Sequence, residues 1–174
     1  SDLLALNRYL RNERELLEKS ESVNERSFEI WGKEKFLSRG QGRKVLKHCG
    51  IGEEMLNMYG TAEPFAYYAR TREVPQNILI LENKDTFYSM RRALLGGKTD
   101  ICGMKTGTLI YGAGKRVIRS FQEFDLCAEP YMKEEGTRMY YFGDLDYEGI
   151  GIYENLAGMF RPVKEIRPFL PAYE

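Results

Sequence analysis

The second half of the chain carries short apolar runs separated by amphipathic stretches. NILIL (Asn77–Leu81) is a continuous apolar run of strand length, the pattern of a strand buried on both faces. GTLIYG (Gly107–Gly112) and RMYYFG (Arg138–Gly143) repeat that pattern, and PVKEIRPF (Pro162–Phe169) gives a fourth, shorter strand broken at Pro168. Between them the period changes to that of a helix. Thr86, Phe87, Met90 and Leu94 share one helical face, with Asp85 as the expected N-cap. KRVIRSFQEF places Val117, Ile118, Phe121 and Phe124 on another, and Ile150, Tyr153 and Leu156 mark a third. GGKTDICGMKTG reads as a loop excursion. Strand and helix in alternation predict an α/β fold: a mainly parallel sheet with flanking helices joined by crossovers.

The first part of the chain has no strand period. Leu3, Leu6, Leu10 and Leu17 predict one helix, and Phe28, Trp31 and Phe36 a second. GRKVLKHCG and EEMLNMYG predict two short helices around the turn Gly50-Ile51-Gly52. Such a pair could be a DNA-docking helix-turn-helix, but a helical pair packing on the next domain is the commoner arrangement and the preferred reading. Pro75 marks the change of character, so residues 1–75 are expected to form a small helical N-terminal region and residues 76–174 the α/β domain.

Composition narrows the chemistry. Lysine plus arginine equal aspartate plus glutamate, 26 against 26, so no strongly basic footprint points to avid non-specific nucleic-acid binding. Cys49, Cys102 and Cys127 are scattered and form no CxxC, which argues against a disulfide framework or a cysteine zinc site. No apolar run reaches the length of a membrane helix, no signal peptide stands at the start, and the chain reads as cytoplasmic. The one histidine, His48, falls at an expected helix C-terminus, where it favours the helix dipole. A metal would therefore be held by carboxylates, which selects Mg2+ or Mn2+ over zinc.

Carboxylates stand where such a metal would need them. The first strand of the α/β part ends in Glu82, the second in Gly112, and the third in Asp144 and Asp146. In a parallel sheet, sites lie at the carboxyl ends of the strands. Like charges converging there are costly unless a cation neutralises them. Taken alone, Asp-x-Asp after a strand is equally a turn with a helix cap. Gly112-Ala113-Gly114-Lys115 lacks the Walker spacing and reads as a strand-to-helix turn. The order of the three strand ends is the more specific signal.

That order resembles the Toprim domain: a glutamate after one strand, a glycine-bearing turn after the next, and DxD after a later one. ILILENKDTF, LIYGAGK and YYFGDLDYEGIGIYENL resemble the C-terminal domain of the JetD family, also called DUF2220, of the Wadjet plasmid-defence system. NERSFEIWGKEKFL resembles the family's stretch before its Toprim part, so the similarity runs from about Asn24 onward. More distantly the arrangement is similar to the topoisomerase VI A subunit and Spo11. The family normally continues past the fourth strand, so the α/β part is expected to be shortened at its C-terminus.

The resemblance implies a divalent-metal-dependent DNA endonuclease that cleaves circular double-stranded DNA together with SMC-like complex subunits, and it allows a homodimer. By position, Glu82, Asp144 and Asp146 become the catalytic and metal-binding residues, with Mg2+ or Mn2+ as cofactor, and Asn83, Gly112 and Gly149 become structural positions. Lys84, Lys115 and Arg116 flank these residues and are candidate DNA contacts, ordinary surface solvation being the competing reading. Two other functions stay open. One is a non-catalytic DNA- or partner-binding Toprim module. The other is a DxD phosphatase, which is disfavoured because DxD follows the third strand here and not the first.

Overall fold

The computed structural model describes residues 1–173, which form two compact units that divide between Thr61 and Ala62. The expected boundary at Pro75 falls inside the second unit, between two strands of one sheet.

The first unit contains α1 (Asp2–Asn12), β1 (Glu21–Ser22), α2 (Val23–Trp31), α3 (Gln41–His48) and β2 (Met58–Tyr59). Ser22 opens α2 with a capping box: its hydroxyl accepts from the Glu25 N–H while the Glu25 carboxylate accepts from the Ser22 N–H. Gly32 closes α2 in the left-handed conformation at φ 65°, so Phe36 lies beyond the helix that was expected to carry it. Leu6, Tyr9, Ile30, Trp31, Phe36, Leu37, Leu46 and Leu56 form the core. Leu3 and Phe28, expected on buried faces, are exposed. The segment after Gly52 is not an α-helix: it is a four-residue 3-10 turn (Glu53–Leu56) followed by β2, which pairs parallel with β1. The expected second helix is therefore not formed, and Leu56 is fully buried in the core of this unit with Leu46 of α3. His48 lies exposed at the C-terminal end of α3.

At the centre of this core is a buried charge. Arg26 is 0% exposed. Its guanidinium reaches the Tyr9 hydroxyl at 2.6 Å, the Glu29 carboxylate, and the Lys19 and Leu16 carbonyls at 2.5 and 3.3 Å. A buried cation needs such partners to offset its lost hydration. Burial, with the Glu29 carboxylate accepting its hydrogen bond, pushes the Tyr9 phenol above its ordinary range.

The second unit contains β3 (Ala66–Ala69), β4 (Gln76–Leu81), α4 (Lys84–Leu95), β5 (Asp100–Ile101), β6 (Met104–Lys105) and β7 (Thr108–Tyr111). It continues with α5 (Arg116–Gln122), α6 (Phe124–Cys127), α7 (Pro130–Lys133), β8 (Thr137–Phe142), α8 (Tyr147–Phe160) and β9 (Ile166–Pro168). The sheet runs β3-β7-β4-β8-β9. All neighbouring pairs are parallel except β3 with β7. The loop excursion after α4 carries the two-strand hairpin β5-β6.

β4 is central, and its alternating side chains face two different layers. Ile78 and Ile80 enter a core with Val117, Phe121, Phe124, Ile152, Leu156 and Phe160 from α5, α6 and α8. Leu79 and Leu81 pack with Phe87 and Leu94 of α4, and with Phe169. This is why NILIL has no polar alternation: neither face meets water. All four side chains are fully buried, each stabilising by about 1.5–3 kcal/mol relative to exposure.

α8 buries Gly149, Ile152, Leu156 and Phe160, while Ile150 is exposed. The face is thus rotated from the expected Ile150-Tyr153-Leu156 stripe. Gly149 sets the rotation: a Cβ there would lie 2.1 Å from the Asp144 carbonyl oxygen, so the helix seats its bare glycine against that backbone.

Candidate functional site

Register brings the strand ends together. Leu81 of β4 stands between Tyr111 of β7 and Phe142 of β8 in one row across the sheet. The next residue on each strand is Glu82, Gly112 or Gly143, and the ladder carries on into that row. The Gly112 N–H donates to the Leu81 carbonyl at 2.7 Å, and the Glu82 N–H donates to the Phe142 carbonyl at 3.0 Å. At Gly112 a Cβ would come within 3.3 Å of the Leu81 oxygen and 3.4 Å of the Val117 side chain. Ala113 and Gly114 then turn the chain with positive φ, leading into α5.

Glu82 is half-buried and held against the end of β8. Its Oε2 accepts from the Tyr141 hydroxyl at 3.0 Å and from the Asp144 N–H at 3.2 Å. Gly143 makes this approach possible, since a Cβ there would sit 2.1 Å from Glu82 Oε2. Burial, reinforced by the Glu82 charge, pushes the Tyr141 phenol above its ordinary range, so the hydroxyl remains a donor to the carboxylate.

Asp144 and Asp146 are both exposed. Asp146 is the N-cap of α8, its Oδ1 accepting from the Gly149 N–H at 2.7 Å. The helix-cap role anticipated for an Asp-x-Asp turn is therefore real, and it leaves the second oxygen of Asp146 open. Gly143, just before this turn, is clamped by a residue that motif reasoning missed. The Tyr173 hydroxyl accepts from the Gly143 N–H at 3.1 Å and donates to the Gly143 carbonyl at 2.6 Å. The Tyr173 ring packs on Phe142 with centroids 4.8 Å apart. No local pattern ties position 173 to position 143, so only the fold reveals this contact.

Asn83, and not Asp85, caps α4: its Oδ1 accepts from the Asp85 N–H at 2.8 Å and the Thr86 N–H at 3.2 Å. The helix starts two residues earlier than Asp85 as cap would allow, because the chain leaves β4 directly into it. Asp85 then sits in the first turn, where the helix dipole favours a carboxylate.

Lys84 is exposed in the first turn of α4. Lys115 is paired with Glu148 at 3.0 Å, both side chains largely exposed. Arg116 lines a hollow of about 480 Å³ beside Gly112 and Ala113.

Among the described residues, no three His, Cys, Asp or Glu side chains are grouped closely enough to hold a metal ion. The donors at the strand ends are all oxygen, which suits a hard cation. Mg2+ keeps several waters and takes one or two carboxylates together with substrate phosphates, so the exposed pair Asp144 and Asp146 fits it without a three-carboxylate cage. Among the described residues, no helix is long and apolar enough to cross a membrane.

Comparison with curated proteins and with solved structures gave no match. A family model does match, over residues 47–170, a span that holds β4, β7, β8 and their carboxylates and begins later than Asn24. That model is described as Wadjet protein JetD, C-terminal; it covers well over half of the sequence, and the chain belongs to this family.

Proposed function

We propose that this chain is a divalent-metal-dependent DNA endonuclease of a Wadjet plasmid-defence system, working on circular double-stranded DNA with SMC-like partner subunits. The observation that carries this reading is the register placing Glu82 beside the Asp144 peptide on neighbouring parallel strands, in a chain of the JetD C-terminal family.

A bound Mg2+ or Mn2+ would supply charge stabilisation on the phosphoryl oxygens and a water of lowered pKa. Asp144 and the open oxygen of Asp146 are the ligands for that cation. Glu82, with one oxygen anchored by Tyr141 and the Asp144 N–H, is oriented to take a proton from water or return one to the leaving oxygen. Asn83, Gly112 and Gly149 act by holding the turns on which these side chains stand. Lys84, Lys115 and Arg116 meet phosphates of the bound DNA.

The test is relaxation or linearisation of a supercoiled plasmid with millimolar Mn2+, with and without the partner subunits. Glu82→Gln and Asp144→Asn are expected to lower the rate by about a hundredfold or more, the scale of losing one charge-stabilising group. Thermal stability should stay nearly unchanged, since Gln keeps an accepting oxygen and Asp144 is exposed. Equal cleavage by both variants would overturn the assignment. That no three carboxylates among the described residues are grouped closely enough for a metal favours a second reading, a DNA- or partner-binding module without catalysis. That module would bind DNA but leave the plasmid uncut by the wild type under every condition.

A further inference from the structure

A cleft of about 710 Å³ is lined by α5 and α8, with Glu148 among its residues. Lys115, Arg119 and Gln122 stand along one wall, Tyr147 and Asn155 along the other. Tyr147 directly follows Asp146 and is 100% exposed. A single exposed apolar side chain is ordinary. This ring is distinguished by its surroundings: a cationic wall, two carboxamides, and the Asp144–Asp146 turn. Arg119 has no carboxylate within salt-bridge distance among the described residues. Lys115 is tied to Glu148 only through an exposed pair, which an incoming phosphate displaces readily.

Cations, an unpartnered aromatic face and amide groups are the three elements that hold single-stranded nucleic acid: phosphate neutralisation, base stacking and contacts to base edges. A base inside a duplex is already stacked on both faces, so the ring can receive it only after unpairing. We propose that this cleft takes an unpaired deoxynucleotide, its base on Tyr147 and its phosphate on Arg119 and Lys115. The proposal rests on the nuclease reading only in taking DNA as the ligand.

The experiment measures fluorescence anisotropy of a labelled single-stranded oligonucleotide and its duplex with the 174-residue chain in EDTA, where no cleavage interferes. The wild type is expected to bind the single strand more tightly than the duplex. Tyr147→Ala should weaken single-strand binding about tenfold, the scale of one base–aromatic stack, and Tyr147→Phe should stay within about twofold of wild type. Arg119→Gln should reduce the salt dependence of binding. Wild-type affinity in Tyr147→Ala, equal loss in Tyr147→Phe, or no binding of the single strand overturns the proposal. Failure of the nuclease reading appears separately, as an uncut plasmid.

Discussion

Glu82 is where sequence and packing meet at the scale of one residue. Its carboxylate is held by a phenol and a backbone N–H from the neighbouring strand, and it can lie there only because position 143 has no side chain. Gly149 works in the same way beneath Asp144. Gly149→Ala would drive a Cβ into the Asp144 carbonyl, where no flexible side chain can give way. The expected cost is about 1–3 kcal/mol, seen as a lower Tm, because overpacking forces backbone movement. Gly158→Ala on the exposed side of the same helix meets nothing within 4 Å and should stabilise by about 0.5–1 kcal/mol through helix propensity alone. Equal shifts in the two variants would remove the close-approach explanation. Glycines at 143 and 149 are visible in the sequence, but their purpose is not: it depends on which atoms face them.

At the scale of elements, α8 begins at Asp146 and its first turn frames the candidate site. Asp146→Ala should cost about 1 kcal/mol of stability through the lost cap, whereas Asp146→Asn should keep most of it, Asn being an equally good cap. If Asn is also inactive in cleavage, the charge of Asp146 serves the cation and not only the helix; thermal melts beside plasmid assays separate the two.

A second junction, between β3 and the turn into α7, is expected to respond to pH. The Tyr67 hydroxyl donates to the Glu129 carboxylate, and Arg72 Nε donates to it at 3.3 Å. These contacts, Tyr67 first, hold the Glu129 carboxyl below its ordinary value of 4.5. A lowered folded-state value means that this stabilisation is complete above the unfolded value and is lost as pH falls through the folded one. Tm should therefore drop on acidification below about pH 4.5, and Glu129→Gln should flatten that part of the profile. An identical profile in the variant would show that other carboxylates govern acid unfolding.

At the scale of the whole molecule, the two units have separate cores: Leu6 to Leu56 in one, Phe65 to Phe169 in the other. Trp31 is the one tryptophan and belongs to the first core. Its emission should report the unfolding of that unit, while far-UV circular dichroism is weighted toward the larger sheet-bearing unit. In urea the two signals are expected to give different midpoints, since cooperativity follows shared burial. Coincident curves would indicate that the two units unfold as one.

The sequence by itself determined β4, β7, β8 and β9, their parallel arrangement and the carboxylates after β4 and β8, but not the antiparallel edge strand β3 or the hairpin β5-β6. Doubly buried strands must be continuously apolar and helices must be amphipathic, so burial on both faces leaves an imprint on local pattern. It also determined the family, through motifs whose order along the chain is independent of geometry. Only the tertiary structure decided that β4 lies between β7 and β8, that Asn83 and not Asp85 caps α4, and that α8 is turned on Gly149. It alone placed Tyr173 on Gly143 and set the Glu82 carboxylate against the Asp144 N–H. These features depend on distances between residues far apart in the chain, and no local period records such distances.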